Sequence, residues 1–423
     1  MKALVTDGNQ RAALAVTRSL GRRGISVFVG EEEPVSLAGS SRHCRRRVLY
    51  PSPYRDREGF RSFLADFVAG EGLDLVVPVT DVTTAAVSLD QGRLGTHTAL
   101  AVPPFEAFET VTDKASALEA AARIGIPIPA THVVDGVAGL AGIAGRIQYP
   151  AVVKPARSRI RSGRGWAATR VHYAASEADL HRLYEQTDYL ASYRSLIQER
   201  IVGPGVGLFG LFDRGRLLTA FAHRRLREKP PSGGVSVLCE SIPVPAELRH
   251  DATRLLGPLG WHGVAMLEYK LDAAGVRHLI EVNGRFWGSL QLAVDAGVDF
   301  PYLNGQLALG QRPDVPASYR AGVRNRWLLG DLDHLLARLW HAPGELALPP
   351  DAPSRGRTLI DFASSTRPGI GDQVASADDP RPFLHELNQY ARSLLASAGS
   401  GARRRLARVR GQGLRFARTS IPN

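Results

Sequence analysis

The stretch His278-Leu279-Ile280-Glu281-Val282-Asn283-Gly284-Arg285 sets two chemistries against each other. Leu279, Ile280 and Val282 read as a buried strand, yet a carboxylate, an amide and a guanidinium are threaded through the same residues. An unpaired buried carboxylate is costly, so Glu281 needs a compensating partner. Just upstream, "GVAMLEYKL" reads as a second strand carrying Glu268, and Asp272-Ala273-Ala274-Gly275 reads as a four-residue hairpin turn between the two. With Leu271 opposite Val276, Glu268 faces Leu279 and Met266 faces Glu281. Alternation then places Glu268, Glu281 and Asn283 on one face and Ile280 and Val282 on the other, with the carboxylates diagonal neighbours roughly 7 to 8 Å apart at the backbone. Two carboxylates and an amide oxygen form an all-oxygen set suited to magnesium or manganese, which leave coordination positions to water and substrate phosphates. The plainer reading is a solvated strand face with two ordinary glutamates.

Lysine is rare in this chain. Only Lys2, Lys114, Lys154, Lys229 and Lys270 occur, and arginine supplies almost all other basic positions. Lys154 ends the apolar run "YPAVVKPA" and precedes a Gly/Ser/Arg-rich loop with Ser158, Gly163 and Gly165. Backbone amides of such a loop can surround phosphate oxygens while lysine acts as a compact charge. The lysine comes before the glycines, so this is not a Walker A loop. Further on, "HRRLREKPPSGGVS" (223–236) offers Arg224, Arg225 and Lys229 to a transferring phosphoryl group, or is an exposed basic loop.

The elements that must position these residues divide the chain. Apolar strands at 2–6, 25–30, 46–50, 73–79 and 99–103 alternate with helices at 10–22, 56–69 and after Asp81. This is an α/β pattern with a parallel sheet covered on both faces, and 1–103 reads as a Rossmann-like domain. "TDGN" has one glycine where a dinucleotide fingerprint needs three. Residues 104–310 read as α+β and contain the polar interruptions. Residues 311–400 form a partly helical extension, with a helix at 327–340, and 401–423 a basic tail.

The 423 residues, 44% hydrophobic and 22% charged, are ordinary globular composition. No apolar run approaches a membrane span and the start lacks a signal-peptide layout, so a cytoplasmic location is expected. Two cysteines, Cys44 and Cys239, exclude a disulfide framework or a cysteine-rich zinc site. The net charge of +12 includes seven arginines and no acid in 401–423, leaving about +5 elsewhere. The basicity is largely a tail property. Nucleic acid is therefore not the expected partner, whereas contact of the tail with an anionic membrane or protein surface, and a homodimer, stay open.

Taken in order, "TDK" with Lys114, "YPAVVKPA" with Lys154, the Gly-rich loop, "LIQERI" with Glu199, "MLEYK" with Glu268 and "IEVNGR" with Glu281, Asn283 and Arg285 resemble the ATP-grasp ligases. That family includes D-alanine:D-alanine ligase, biotin carboxylase and carbamoyl phosphate synthetase. The resemblance covers roughly 1–310, the Rossmann-like domain leading a two-subdomain ATP-grasp fold. It implies that Lys114 and Lys154 contact ATP phosphates and that the loop with Ser158, Gly163 and Gly165 closes over them. It also implies that Glu199, Arg200, Ile201 and Val202 hold the adenine. Glu268, Glu281 and Asn283 would hold two magnesium ions, with Glu281 bridging them. Arg285 would sit near the transferred phosphoryl group or the substrate carboxylate, its alternative being a surface ion pair. Two positions depart from the family: Val206 stands where a ribose-binding acid is common, and Gly284 replaces the proline of "N-P-R".

The resulting expectation is an ATP- and magnesium-dependent carboxylate-amine or carboxylate-thiol ligase, acting on a small carboxylate and an amine through an acyl phosphate. The alternatives are a carboxyphosphate or carbamoyl-phosphate-type enzyme and an ATP-binding adaptor without catalysis.

Overall fold

The computed structural model describes residues 1–162, 165–349, 351–365 and 369–409. Its first sheet forms where short apolar runs alternate with amphipathic helices. β1 (Lys2–Val5), β2 (Ser26–Glu31), β3 (Cys44–Leu49) and β4 (Leu75–Val77) pair in parallel in the order β3-β2-β1-β4. α1 (Arg11–Arg22) covers one face with Leu14, Val16 and Leu20. α2 (Arg57–Glu71) and α3 (Asp81–Leu89) cover the other with Phe60, Leu64, Val68 and Val87, and the short α4 (Gln91–Leu94) follows. The strand expected at 99–103 is reduced to one bridge between Leu75 and Ala99. Pro103 and Pro104 lack the N–H groups that a longer ladder would use.

α5 (Phe105–Thr112) and α6 (Lys114–Arg123) lead onward, and Asp113 caps α6 by accepting from the Ser116 amide at 3.0 Å. Next come β5 (Thr131–Asp135), β6 (Ala151–Pro155), β7 (Arg159–Ser162), β8 (Gly165–Ala168) and β9 (His172–Ala174). α7 (Glu177–Gln186), α8 (Asp188–Ser192) and β10 (Arg194–Glu199) follow. An antiparallel sheet β5-β10-β6-β9 packs on α7 and α8 through Leu180, Tyr184 and Leu190. The Gly-rich segment is not an open loop: β7 and β8 form a hairpin.

The third sheet carries the candidate site. It is built from β11 (Gly205–Asp213), β12 (Arg216–Lys229) and β13 (Val235–Ile242), then, after α9 (Ala246–Leu256), β14 (Gly263–Leu271) and β15 (Arg277–Asn283). After α10 (Leu290–Ala296) and α11 (Phe300–Ala308), the C-terminal region adds β16 (Arg324–Arg326), α12 (Leu328–Trp340), α13 (Arg355–Ser364), β17 (Ile370–Asp372) and α14 (Arg381–Val409). The strand order is β15-β14-β11-β12-β13-β16-β17, so the extension completes the sheet rather than hanging from it. One face packs on α5, α6 and α9 through Leu208, Leu267, Tyr269 and Trp261, and the other meets α1, α10 and α11 through Phe209, Met266 and Trp287. α14 runs continuously across residue 401, where the sequence alone suggested that a separate tail begins.

A buried ion pair docks the C-terminal region on the first helix. Arg18 Nε lies 2.9 Å from Asp379 Oδ2, with side-chain exposures of 3% and 0%. Ser41 Oγ and the Arg42 amide also donate to Asp379, at 2.6 and 2.9 Å. Asp379→Ala leaves a buried guanidinium without its carboxylate and should cost about 3–5 kcal/mol in urea unfolding. A loss near the roughly 0–1 kcal/mol of a surface pair would contradict this docking role.

Candidate active site

The hairpin register decides the geometry. Met266 faces Asn283, Leu267 faces Val282, and Glu268 faces Glu281 directly, which corrects the diagonal arrangement expected from the sequence. Two features produce the change. The turn is one residue longer than expected, because Leu271 faces Arg277; Asp272 Oδ1 accepts from the Ala274 and Val276 amides, both at 2.9 Å. The register then shifts between Glu268 and Tyr269, so that Tyr269 faces Leu279 and Ile280 is an extra, bulged residue. In a regular strand Leu279 would share the face of Glu281. The bulge instead sends Leu279 into the core beside Val282 and Tyr269, while Glu268, Glu281 and Asn283 keep the opposite face. Ile280, expected beside Val282, is only half-buried and outside that core.

Basic groups converge on this row from three directions. Lys114, at the start of α6, places Nζ 3.4 Å from Glu281 Oε2 and donates to Ser158 Oγ at 2.8 Å. Asn283 Nδ2 donates to Glu281 Oε1 at 3.1 Å, and Arg285 Nη2 donates to Asn283 Oδ1 at 3.1 Å. Arg285 Nε also reaches Asp81, the first residue of α3, at 3.2 Å, which ties the row to the first sheet's helix layer. Although burial opposes ionisation, Lys114, Asn283, Lys154 and Arg285 hold the Glu281 pKa down to about 2. Burial, aided by the facing Glu281, pushes the Glu268 pKa up against the pull of Arg225. Burial also lowers the pKa of Lys154 on β6 to about 8, with Glu281 and Glu268 opposing the shift.

Arg225, expected with Arg224 and Lys229 to face a transferring phosphoryl group, pairs instead with two carboxylates. Its Nη2 lies 2.5 Å from Glu268 Oε2, and its Nη1 donates to Glu228 Oε1 at 2.8 Å. Lys270 Nζ continues the chain, reaching Glu228 Oε2 at 3.4 Å and the Gly203 carbonyl at 3.3 Å. Period-two alternation in "HRRLREK" sets Arg225 on the face of His223, the residue aligned with Gly207 and Glu268. Arg224 and Lys229 do not join the cluster: Arg224 pairs with Glu240, and Lys229 Nζ lies 2.5 Å from Asp333 on α12.

The remaining expected residues are dispersed or peripheral. Gly165 begins β8, and Gly163 lies outside the described residues. Glu199 ends β10 and accepts from the Ala130 amide at 3.5 Å. Arg200 bonds the Ala347 carbonyl and stacks 5.1 Å from the Tyr173 ring; Ile201 is half-buried and Val202 exposed. The two departures have physical reasons. Val206 points into the core with Tyr269 and Leu208, away from the glutamate face. A Cβ on Gly284 would lie 2.8 Å from the Trp261 ring and 3.0 Å from Phe108, so the position is closed to a larger residue.

A small space of about 40 Å³ lies between Asp81, Lys114, Ser158, Trp166 and Asn283. A separate cleft of about 540 Å³, lined by Asp213, Arg214, His262 and Gln311 among others, contains none of the expected site residues.

With five lysines in the chain, isotope-labelled lysine NMR can follow each ammonium. One resonance, assigned by Lys154→Arg, should titrate near pH 8. If all five titrate near the ordinary value of about 10.4, Lys154 is not buried as described.

Residues 196–330 match a family model described as ATP-grasp in the biosynthetic pathway with Ter operon. Curated relatives include an uncharacterized protein, y4rH, of Sinorhizobium fredii, 28% identical over 61% of this chain and 55% of the relative. Another is the N-terminal section of the carbamoyl phosphate synthase large chain of Methanopyrus kandleri, 23% identical over 89% of this chain and 65% of the relative. The chain thus spans less than two thirds of either relative's length. Among solved structures, an L-amino acid ligase from Bacillus licheniformis aligns with a TM-score of 0.57 at 20% identity, over 73% of this chain and 74% of its own. The biotin carboxylase domain of a Hydrogenobacter thermophilus 2-oxoglutarate carboxylase, in complex with MgADP, ADP and bicarbonate, aligns with a TM-score of 0.61 at 17% identity, over 76% and 73%. Residues 196–330 are thus similar to an ATP-grasp family, and the chain shares its mixed α/β fold with the ligase and carboxylase structures named above.

Proposed function

We propose that this protein is an ATP- and magnesium-dependent ligase that joins a carboxylate to an amine through an acyl phosphate. The observation that carries the reading is the direct facing of Glu268 and Glu281, with Asn283 on the same face and Lys114, Lys154 and Arg285 around them. Like charges placed opposite each other across strands are destabilising, and an oxygen-binding dication relieves them. The donor set fits magnesium: two carboxylates and an amide oxygen, with coordination left for nucleotide phosphates. Glu268, Glu281 and Asn283 would hold the ions, which supply charge neutralisation of the phosphates and of the leaving ADP. The biotin carboxylase domain noted above is a relative in fold whose structure contains MgADP.

The chain's own groups then divide the work. Lys114 and Lys154 hold phosphate oxygens, and Glu199 to Val202, at the end of β10, form the edge on which adenine would lie. The space of about 40 Å³ beside Ser158 and Trp166 lies under the β7–β8 hairpin, which in this reading covers the phosphates. Closure excludes water from the acyl phosphate. Arg285, held by Asp81 and Asn283, offers its fork to the transferring phosphoryl group or the substrate carboxylate. The carboxylate oxygen forms a bond to the γ-phosphorus as the bond to ADP breaks. The amine nitrogen then attacks the acyl carbon, phosphate leaves, and one proton is released. Positioning and charge stabilisation suffice; no side chain needs to act as a covalent nucleophile.

ADP release should be measured with magnesium and ATP against a pool of amino acids and small carboxylates, for wild type and Glu281→Gln. The expected result is substrate-stimulated release that falls about 100-fold or more in Glu281→Gln. Stimulation by bicarbonate alone would select carboxyphosphate chemistry at the same site. Nucleotide binding without stimulated release by any member of the pool would favour a non-catalytic adaptor.

A further inference from the structure

A second polar group lies on the carboxylates' face of the third sheet, two strands from Glu268. His223 on β12 aligns with Gly207 on β11, which aligns in turn with Glu268 on β14. His223 is buried, and neither of its ring nitrogens has a hydrogen-bond partner. Burial, aided by the Arg225 charge, lowers its pKa to about 3. The ring is therefore neutral near pH 7, with one nitrogen to donate and one to accept. Arg225 Nε is also buried without an acceptor, although its two Nη atoms hold Glu268 and Glu228. The Trp287 ring stands 4.2 Å from that of Phe209, which is 4.7 Å from His223, and Trp287 Nε1 is a third buried donor with no acceptor. Orphaned buried donors are costly, so several in one place need a common explanation.

Arg11 and the C-terminal region close the group from above. Arg11 begins α1, whose first turn holds no acidic residue and whose N-cap side chain makes no bond. Its guanidinium lies 3.8 Å over the Trp327 ring, and a Cβ on Gly288 would come within 3.0 Å of its Nη2, so the glycine after Trp287 admits it. Arg11 Nη1 donates to Gln373 Oε1, which leaves the amide nitrogen of Gln373 buried and unpartnered. Among the described residues Arg11 has no ion pair. The carboxylates whose charge it feels are engaged elsewhere: Glu386 accepts from Trp327, and Asp372 from the amides of Leu328, Val374 and Ala375. Burial lowers the Arg11 pKa to about 10. Water satisfies a lone donor but does not neutralise a buried charge. Donors outnumber acceptors here, and one positive charge is uncompensated. Such a set fits a monoanion with several acceptor oxygens, a carboxylate.

We propose that Arg11, His223, Trp287 and Gln373 hold the carboxylate of the amine substrate, which makes that substrate an amino acid. Arg285 and the metal row take the carboxylate that is activated, so the second carboxylate belongs to the incoming amine. The role of the bound group rests on the ligase reading, whereas the carboxylate site itself does not. Trp327 and Gln373 come from beyond residue 310, so the C-terminal extension, besides completing the sheet, helps to build a substrate pocket.

The test is calorimetric titration of the full chain, with magnesium and a non-hydrolysable ATP analogue, by the common α-amino acids, their α-carboxamides and inorganic phosphate. At least one amino acid should bind about tenfold or more tighter than its carboxamide, the loss expected when a charged hydrogen-bond partner is removed. Arg11→Gln should bring acid and carboxamide to equal affinity. Gln373→Glu sets a carboxylate of the same shape against Arg11, so it should abolish amino-acid binding while the melting temperature stays at or above that of wild type. Equal binding of acid and carboxamide by wild type, no binding by any amino acid, tighter binding of phosphate, or full retention by a folded Gln373→Glu overturns the proposal. ADP release read on the same proteins separates the two readings. Release without Arg11-dependent binding sinks this site and keeps the ligase, whereas Arg11-dependent binding without release keeps the site and sinks the ligase.

Discussion

Two carboxylates facing each other across neighbouring strands are the constraint around which this structure is arranged. Glu268 and Glu281 occupy a directly opposed pair in a sheet whose other face is core. A regular hairpin would not accommodate them without cost, because Leu279 would then share the face of Glu281 while the core lost a side chain. The bulge at Ile280 separates the two demands. It returns Leu279 to the core and leaves the carboxylates together on the face opposite.

The carboxylates need positive charge, and the fold brings it from separate layers. Lys114 comes from the N-terminus of a helix capped by Asp113, Lys154 from the second sheet, Arg225 from a strand of the carboxylates' own third sheet, and Arg285 from the segment just after Asn283. Arg285 is itself fixed by Asp81 on a helix of the first sheet's layer. Elements far apart in sequence are thus held to one electrostatic centre, and such networks are coupled, so the effect of changing one member depends on the others. Glu281 is the most fully compensated member, whereas Glu268 is pushed toward protonation by burial and by its neighbour. A divalent cation would remove that asymmetry.

Much of this was legible in the sequence because the relevant signals were local. Strand alternation set Glu281 and Asn283 on one face, the scarcity of lysine drew attention to Lys114 and Lys154, and the alternating β and α pattern gave the parallel first sheet. What was not legible depended on partners distant in sequence. The bulge follows from the competition of Leu279 and Glu281 for opposite sides of the sheet, which no turn rule encodes. Arg224, Arg225 and Lys229 sit in one basic run that reads alike from sequence, and only strand pairing separates Arg225, which meets Glu268, from the other two. The contribution of β16 and β17 to the third sheet was invisible because three-residue strands carry too few residues for a periodic signal.

The facing carboxylates hold a divalent cation only if nucleotide completes its coordination. The most direct measurement is electron paramagnetic resonance of Mn²⁺ titrated into the protein with and without ADP, for wild type and Glu281→Gln. The predicted result is ADP-dependent loss of the free Mn²⁺ signal in wild type, weakened in Glu281→Gln beyond the roughly tenfold that outer-shell changes cost. Equal ADP-dependent binding of Mn²⁺ by both proteins would contradict the assignment and place the ion elsewhere.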